Sequence, residues 1–204
     1  MSNDSMISVL AISGSLREQS YSTAVIRTLA AAVPASVRVD QAEIGMLPFY
    51  NQDVDSDEKR PVVVRSFKER VARCDGLLVV TPEYNYGLPA VLKNAIDWAS
   101  RPAYASVLKG KPVACMTTSP GPYGGVRAYA HLQQLFSATL SQQIVVPQVA
   151  IGSVADKVTD GLLSDAQSLV IAITALEKLI ESIDLLRAGR DDTGLLDGSR
   201  LRTG

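Results

Sequence analysis

The sequence predicts an α/β fold: a doubly wound, five-stranded parallel sheet of order 2-1-3-4-5, with helices on both faces. Three observations lead there. Short apolar runs alternate with segments of helical spacing along most of the chain, which is the pattern of βα units. The run Gly76-Leu77-Leu78-Val79-Val80-Thr81 is apolar almost throughout, as strands covered on both faces are. Three unusual loops follow the first, third and fourth strands, and in this strand order they meet at the crevice where the order reverses.

The elements follow in order. Ile7, Val9, Leu10, Ala11 and Ile12 form the first strand, which stops at Ser13-Gly14-Ser15. Ala24, Val25, Leu29 and Ala32 then fall at helix spacing. Val37 to Ala42 alternates and reads as the second strand. Leu47 to Asn51 is a loop with an exposed aromatic pair, and Asp53 to Lys59 is charged surface. Pro61 marks a helix start, with Val64, Phe67, Val71 and Ala72 on the apolar face. Gly76 to Thr81 is the central strand, Leu88 to Ala99 a helix, Pro112 to Thr117 the fourth strand and Val126 to Leu140 a helix. Ile144 to Ile151 is the fifth strand, and Pro147 within it points to an edge or a bulge. Asp165 to Leu186 is the last helix. Residues 1–187 are expected to form one domain, and 188–204, rich in Gly, Asp and Arg, a flexible or extended tail.

Bulk properties bound the function. The 204 residues suffice for one full core, with 47% hydrophobic and 20% charged residues. A net charge of -1 creates no field that favours nucleic acid or an acidic membrane. Cys74 and Cys115 lie far apart with no metal-ligand spacing, and read as buried inert thiols. No segment approaches the length of a membrane span, and the apolar run after the short polar start is too short for a signal peptide. The expected compartment is the cytoplasm.

The loop from Gly14 to Ser22 reads as an anion site. First-turn N–H groups of a helix lack intrahelical partners, and the helix dipole favours negative charge there. Arg17 adds a forked, permanent cation, and Ser15, Ser20, Ser22 and Thr23 add hydroxyls. A single glycine, Gly14, excludes the G-x-G-x-x-G pyrophosphate fingerprint, and no Gly-Lys-Ser/Thr follows. A terminal monophosphate fits best; an ordinary βα turn with a serine-rich cap is the plain alternative.

The middle loop, Thr81-Pro82-Glu83-Tyr84-Asn85-Tyr86-Gly87-Leu88-Pro89, is stiffened by proline at both ends. Gly87 is expected to take a backbone conformation that other residues resist. Exposed amides, one side-chain amide and two tyrosines suit the edge of a flat heteroaromatic ring. A rigid connection carrying solvent tyrosines is the bland reading.

Gly14-Ser15-Leu16-Arg17 with Ser20, Pro82-Glu83-Tyr84-Asn85, and the run Gly87 to Trp98 (GLPAVLKNAIDW) together resemble the NADPH-dependent FMN reductase family. Relatives in that family include quinone, azo-dye and chromate reductases. The resemblance spans Ile7 to about Leu186 and implies a flavodoxin-like fold. It implies that Ser15, Arg17, Ser20 and Ser22, with Tyr21 among them, bind the FMN phosphate. It implies that Pro82, Glu83, Tyr84, Asn85, Tyr86 and Gly87 line the isoalloxazine, and that Ser119 and Gly121 approach it from the third loop. It also implies a homodimer or homotetramer, to which exposed Tyr50, Tyr104 and Tyr123 are candidate contributors. The chain departs from the family at Ser22, where many relatives carry Asn, and at the two prolines of Ser119-Pro120-Gly121-Pro122-Tyr123.

The implied activity is hydride transfer from NADPH or NADH to FMN. Electrons then pass to a small-molecule acceptor: a quinone, azo or nitro compound, metal oxyanion or flavin. Cofactor chemistry needs position and access from the protein more than acid or base groups. No catalytic side chain is therefore named: the single histidine, His131, reads as structural or surface, and Glu83 as serving through its backbone or as a local cap. No metal-ligand cluster is apparent. A flavodoxin-like electron carrier or partner-binding protein without turnover remains the alternative. A dinucleotide-binding Rossmann domain using Glu43 fails for want of glycines.

Overall fold

In the computed structural model, residues 6–191 are described. The main sheet has the order β2-β1-β3-β4-β5, all parallel. β1 is Ile7–Ser13, β2 Val37–Gln41, β3 Gly76–Pro82 and β4 Pro112–Thr118. The helices are α1 (Tyr21–Ala32), α2 (Val62–Arg73), α3 (Ala90–Ala99), α4 (Val126–Ala138) and α5 (Ala166–Asp191). This is the flavodoxin-like arrangement.

Strand alternation divides the core into two layers. Leu10, Ile12, Leu77, Val79, Val113 and Cys115 face α2, α3 and α4, where Phe67, Leu92, Trp98 and Phe136 are buried. Val9, Ala11, Leu78, Val80, Ala114 and Met116 face α1 and α5, against Val25, Leu29, Ala172, Leu176 and Leu179. Both faces of the central strands are covered, which accounts for their apolar runs.

Four expectations need correction. The fifth strand is not continuous over Ile144 to Ile151. Two short strands pair with β4 in its place: β5 (Gln142–Gln143) and β6 (Val149–Ile151). Pro147 lies in the gap, where a residue without an N–H cannot extend the ladder. The last helix runs through Asp191, so the boundary expected at 187 falls inside it; the rest of the expected tail, 192–204, lies outside the described residues. Residues 154–163, for which no element was expected, hold a 3-10 turn and a small hairpin of β7 (Val158–Thr159) and β8 (Leu162–Leu163).

The fourth correction concerns residues 49–60. Tyr50 is half-buried: it packs edge-on against Trp98, with ring centroids 4.9 Å apart. Asn94 accepts the Tyr50 N–H (2.8 Å) and Trp98 donates to the Pro48 carbonyl (2.7 Å), so α3 pins this loop. Phe49, beside it, is exposed as expected. In the charged stretch, Asp55 is turned inward and pairs with Arg60 at 2.7 Å. That pairing raises the Arg60 pKa, while burial, then the Arg60 charge, lowers that of Lys68.

Candidate functional site

The three loops meet at the carboxyl ends of β1, β3 and β4, and hydrogen bonds and close packing knit them together. The Gly14 N–H donates to the Val80 carbonyl at 2.8 Å. A Cβ on Gly14 would lie 2.0 Å from Thr81 Oγ1 and 2.6 Å from Thr81 Cβ. Glycine is required here by close approach of the neighbouring strand, and it brings the start of the first loop against the start of the second. The Ser22 hydroxyl, fully buried, bonds Thr118 Oγ1 at 3.0 Å and ties α1 to the end of β4.

The first loop wraps the positive end of α1. Ser20 is the N-cap and accepts the Thr23 N–H at 3.2 Å. Ser15 Oγ accepts the Arg17 N–H at 3.4 Å. Ser13 supports both from beneath: its oxygen accepts from the Ser15 N–H (3.3 Å) and the Thr23 hydroxyl (3.0 Å). The hydroxyl protons of Ser15 and Ser20 have no acceptor among the described residues, although both side chains are buried. The first turn of α1 carries no acidic residue. The Arg17 guanidinium makes no ion pair among the described residues and sits 5.6 Å from the centre of the Tyr21 ring. Uncommitted donors, a helix N-terminus and an unpaired cation are what a phosphate monoester needs.

The middle loop is a two-residue hairpin. Tyr84 and Gly87 exchange both backbone hydrogen bonds, at 3.0 and 2.9 Å. The central residues Asn85 (φ 50°) and Tyr86 (φ 64°) are both left-handed, the signature of a type I′ turn. The unusual conformation therefore falls on Asn85 and Tyr86, not on Gly87 as expected. Gly87 closes the turn; a Cβ there would come within 3.6 Å of His131 Nδ1. The Asn85 and Tyr86 amides and the Asn85 side chain make no hydrogen bond among the described residues, and Tyr84, Asn85 and Tyr86 belong to the exposed surface. These donors suit the polar edge of a planar ring. Pro82 ends β3 and aims the hairpin.

Glu83 turns its carboxylate to the start of α4. Its Oε2 accepts the Arg127 N–H (2.9 Å) and the Ala128 N–H (3.1 Å), so it caps α4. Arg127 in turn lays its guanidinium 4.3 Å from the centre of the Tyr86 ring. The one local signal for Arg127 is its place in the first helical turn after Gly124-Gly125. Ser13 and Thr118 went unmarked, since a hydroxyl at a strand end has no distinctive spacing.

The third loop is fixed to β6. Ser119 donates its N–H to the Ile151 carbonyl (3.0 Å), and its carbonyl accepts from Val154 (3.1 Å). The Gly121 N–H is spent on Ser119 Oγ at 3.1 Å. Tyr123 is exposed at the rim. A separate groove of about 660 Å³ runs between α3 and α4, lined in part by Leu88, Ile96, Arg101, His131 and Leu135. The uncommitted donors lie elsewhere, on the loops that follow the adjacent strands β1 and β3.

Fold and crevice define a doubly wound protein whose loops carry uncommitted donors of the kinds that suit a monophosphate and the edge of a flat ring. The model of the NADPH-dependent FMN reductase family matches residues 7–156. The chain belongs to that family, which is one of oxidoreductases. It is 47% identical over 127 residues to a 2-hydroxy-1,4-benzoquinone reductase of a Burkholderia species, covering 62% of this chain and 68% of that protein. It is 43% identical over 153 residues to an NAD(P)H-dependent FMN reductase of Pseudomonas aeruginosa, covering 75% and 80%. Among solved structures it resembles the flavoenzyme NAD(P)H:(acceptor) oxidoreductase of Paracoccus denitrificans, with a TM-score of 0.79 and 31% identity over 88% of this chain and 98% of that one.

Proposed function

We propose that the protein is an FMN-dependent NAD(P)H oxidoreductase that passes electrons to a quinone or another small acceptor. The acceptors in view are quinones, azo and nitro compounds, metal oxyanions and free flavin. The observation that supports this reading is that two sets of uncommitted donors lie on the loops after the adjacent strands β1 and β3. Ser15, Ser20, Arg17 and the α1 N-terminus offer uncommitted donors to a phosphate. Asn85 and Tyr86 offer theirs to a ring edge. Ser22, committed to Thr118, supports the first set by holding α1 in place. FMN bound there supplies the electron storage and the hydride-accepting centre.

The chain's own residues bind and orient. Arg17 and the hydroxyls neutralise and fix the phosphate. The hairpin amides hold the ring's polar edge. Ser119 and Gly121, locked to each other and to β6, form the far wall. No side chain is assigned to move a proton, and His131 lies behind Gly87 as part of the hairpin's support. NADPH or NADH and the acceptor use the same open side in turn, which makes the kinetics ping-pong. The names of the quinone-reducing relatives support a quinone as the first acceptor to try.

Assembly into a homodimer or homotetramer belongs to the same proposal. Exposed Tyr104 and Tyr123 support it, since aromatic side chains are enriched at interfaces. A cytoplasmic location is proposed as well; Cys74 and Cys115 are free thiols, as reducing compartments keep them. No described helix is long and apolar enough to cross a membrane. Steady-state kinetics test the reading: NADPH against a quinone should give parallel double-reciprocal lines. Intersecting lines would exclude ping-pong. Protein that holds flavin yet reacts with neither nicotinamide would be an electron carrier.

A further inference from the structure

We infer that Glu83 is a positioning residue: by capping α4 from a distance it clamps the ring-edge hairpin to that helix and so sets where the hairpin's amides point. The inference rests on the flavin reading for its functional meaning, but the clamp itself is a property of the chain alone.

α4 has no cap of its own. Gly125 precedes it with φ 82° and no side chain to offer, and the first turn contains no acidic residue. Two of the orphan N–H groups at that end, Arg127 and Ala128, are met by the Glu83 carboxylate, 44 and 45 residues away. The Glu83 side chain is 13% exposed, so water competes poorly for those bonds. It also places a negative charge at the positive end of the helix dipole.

Contact between the two elements is close. A Cβ on Gly125 would meet Glu83 Cβ at 3.3 Å and Thr117 Cβ at 3.2 Å. The base of the hairpin therefore lies directly on the helix start. The same helical turn returns to the hairpin tip through Arg127, which is 3.7 Å from Glu83 Oε1 and 4.3 Å from the centre of the Tyr86 ring. Base and tip are thus gripped by one turn of α4.

The tip needs that grip. Asn85 and Tyr86 hold left-handed φ values without being glycine. Such conformations are costly and persist where the surroundings over-determine them. The Glu83 carboxylate, the Arg127 stack and the Tyr84–Gly87 bridge are the surroundings on view. Loss of the first uncovers two N–H groups at a helix end and frees the hairpin base at once.

The test compares the wild type with Glu83→Ala, Glu83→Gln and a control, Asp165→Ala. Asp165 accepts the Ser168 N–H (2.8 Å) near the start of α5, outside the site, so its loss removes a cap without touching the hairpin. Amide hydrogen exchange of the cofactor-free protein is followed at Tyr84 and Gly87, and FMN affinity is read separately by flavin fluorescence. In Glu83→Ala both amides should exchange about tenfold faster and FMN should bind about tenfold more weakly, as expected for losing charged hydrogen bonds. Glu83→Gln keeps an acceptor oxygen and should fall between the two. Asp165→Ala should leave hairpin exchange and FMN affinity at wild-type values. Wild-type exchange at Tyr84 and Gly87 in the Glu83 variants would overturn the clamp, and so would an equal acceleration in Asp165→Ala. Should Glu83→Ala not fold, the Glu83→Gln exchange decides alone. Should wild-type protein bind no FMN, the flavin reading falls while hairpin exchange still decides the clamp.

Discussion

Replacing Gly14 with alanine tests the packing that brings the first two loops together. The new Cβ would lie 2.0 Å from Thr81 Oγ1, 2.6 Å from Thr81 Cβ and 3.1 Å from Thr81 Cα. Two of these atoms belong to the backbone or its first branch, so no rotamer change at Thr81 clears the space. β1 and β3 must separate at their carboxyl ends, by nearly an ångström at Thr81 Cβ, and the Gly14–Val80 hydrogen bond of 2.8 Å must stretch. Overpacking of this kind costs about 1–3 kcal/mol, and the rigid neighbours place this case near the upper end. A loss of about 3 kcal/mol corresponds to a Tm lower by roughly 6–12 °C for a chain of this size. The loop shift should also weaken FMN retention. Thermal unfolding followed by circular dichroism reads the first effect and flavin fluorescence the second. Compensation sharpens the test. Thr81→Ser keeps both Oγ1 and Cβ and should not rescue Gly14→Ala, whereas Thr81→Gly removes both and should recover part of the loss in the double variant. A Gly14→Ala protein with wild-type Tm and wild-type FMN affinity would refute the close-approach argument.

Other consequences follow from the same geometry. Arg17→Ala should weaken FMN binding by about 1.5–3 kcal/mol, the worth of a hydrogen bond to a charged group; unchanged affinity in a fluorescence titration would remove Arg17 from the site. Cys74 and Cys115 are buried, and burial pushes both thiol pKa values up. Native protein should therefore be inert to a chromogenic disulfide reagent near pH 8, and both thiols should titrate only after denaturant is added. Hydrogen bonds from Ser168 hold the Asp165 pKa below its ordinary 3.8. A carboxylate depressed in the folded state contributes stability above its unfolded pKa and loses it as pH falls through the folded one. Asp165→Asn should thus flatten the loss of stability below about pH 4, measured by urea unfolding. His131→Ala should leave reduction by NADPH within a few-fold of wild type in stopped-flow, since no proton transfer is assigned to it.

What could be read from the sequence depended on how local the cause was. β1, β3 and β4 were legible because both their faces are covered, leaving long apolar runs. The loop between β1 and α1 was legible as a capped helix start because a strand, a hydroxyl-rich turn and a helix are adjacent in the chain. The break in the fifth strand was half legible: Pro147 signalled it, but the apolar residues around it suggested continuity. The extension of α5 past Leu186 was hidden by Gly189, which reads as a stop; in the helix its added Cβ would meet nothing, so no packing demand placed it there. Asp160-Gly161, between Thr159 and Leu162, carries the hairpin signal of the β7–β8 turn, with φ 50° and 73°. Tyr50 and Glu83 show the other limit. Their orientations are set by Asn94, Trp98 and the start of α4, all more than forty residues away, and no local pattern encodes such partners.

The proposed function requires that the crevice hold FMN and that the bound flavin take electrons from a nicotinamide and hand them on. Anaerobic stopped-flow on FMN-loaded protein tests it directly. Mixing with NADPH or NADH should bleach the flavin's visible band, and adding a quinone to the reduced protein should restore it, each within minutes. Flavin that stays oxidised with both nicotinamides over that time would contradict the account and leave an electron carrier in its place.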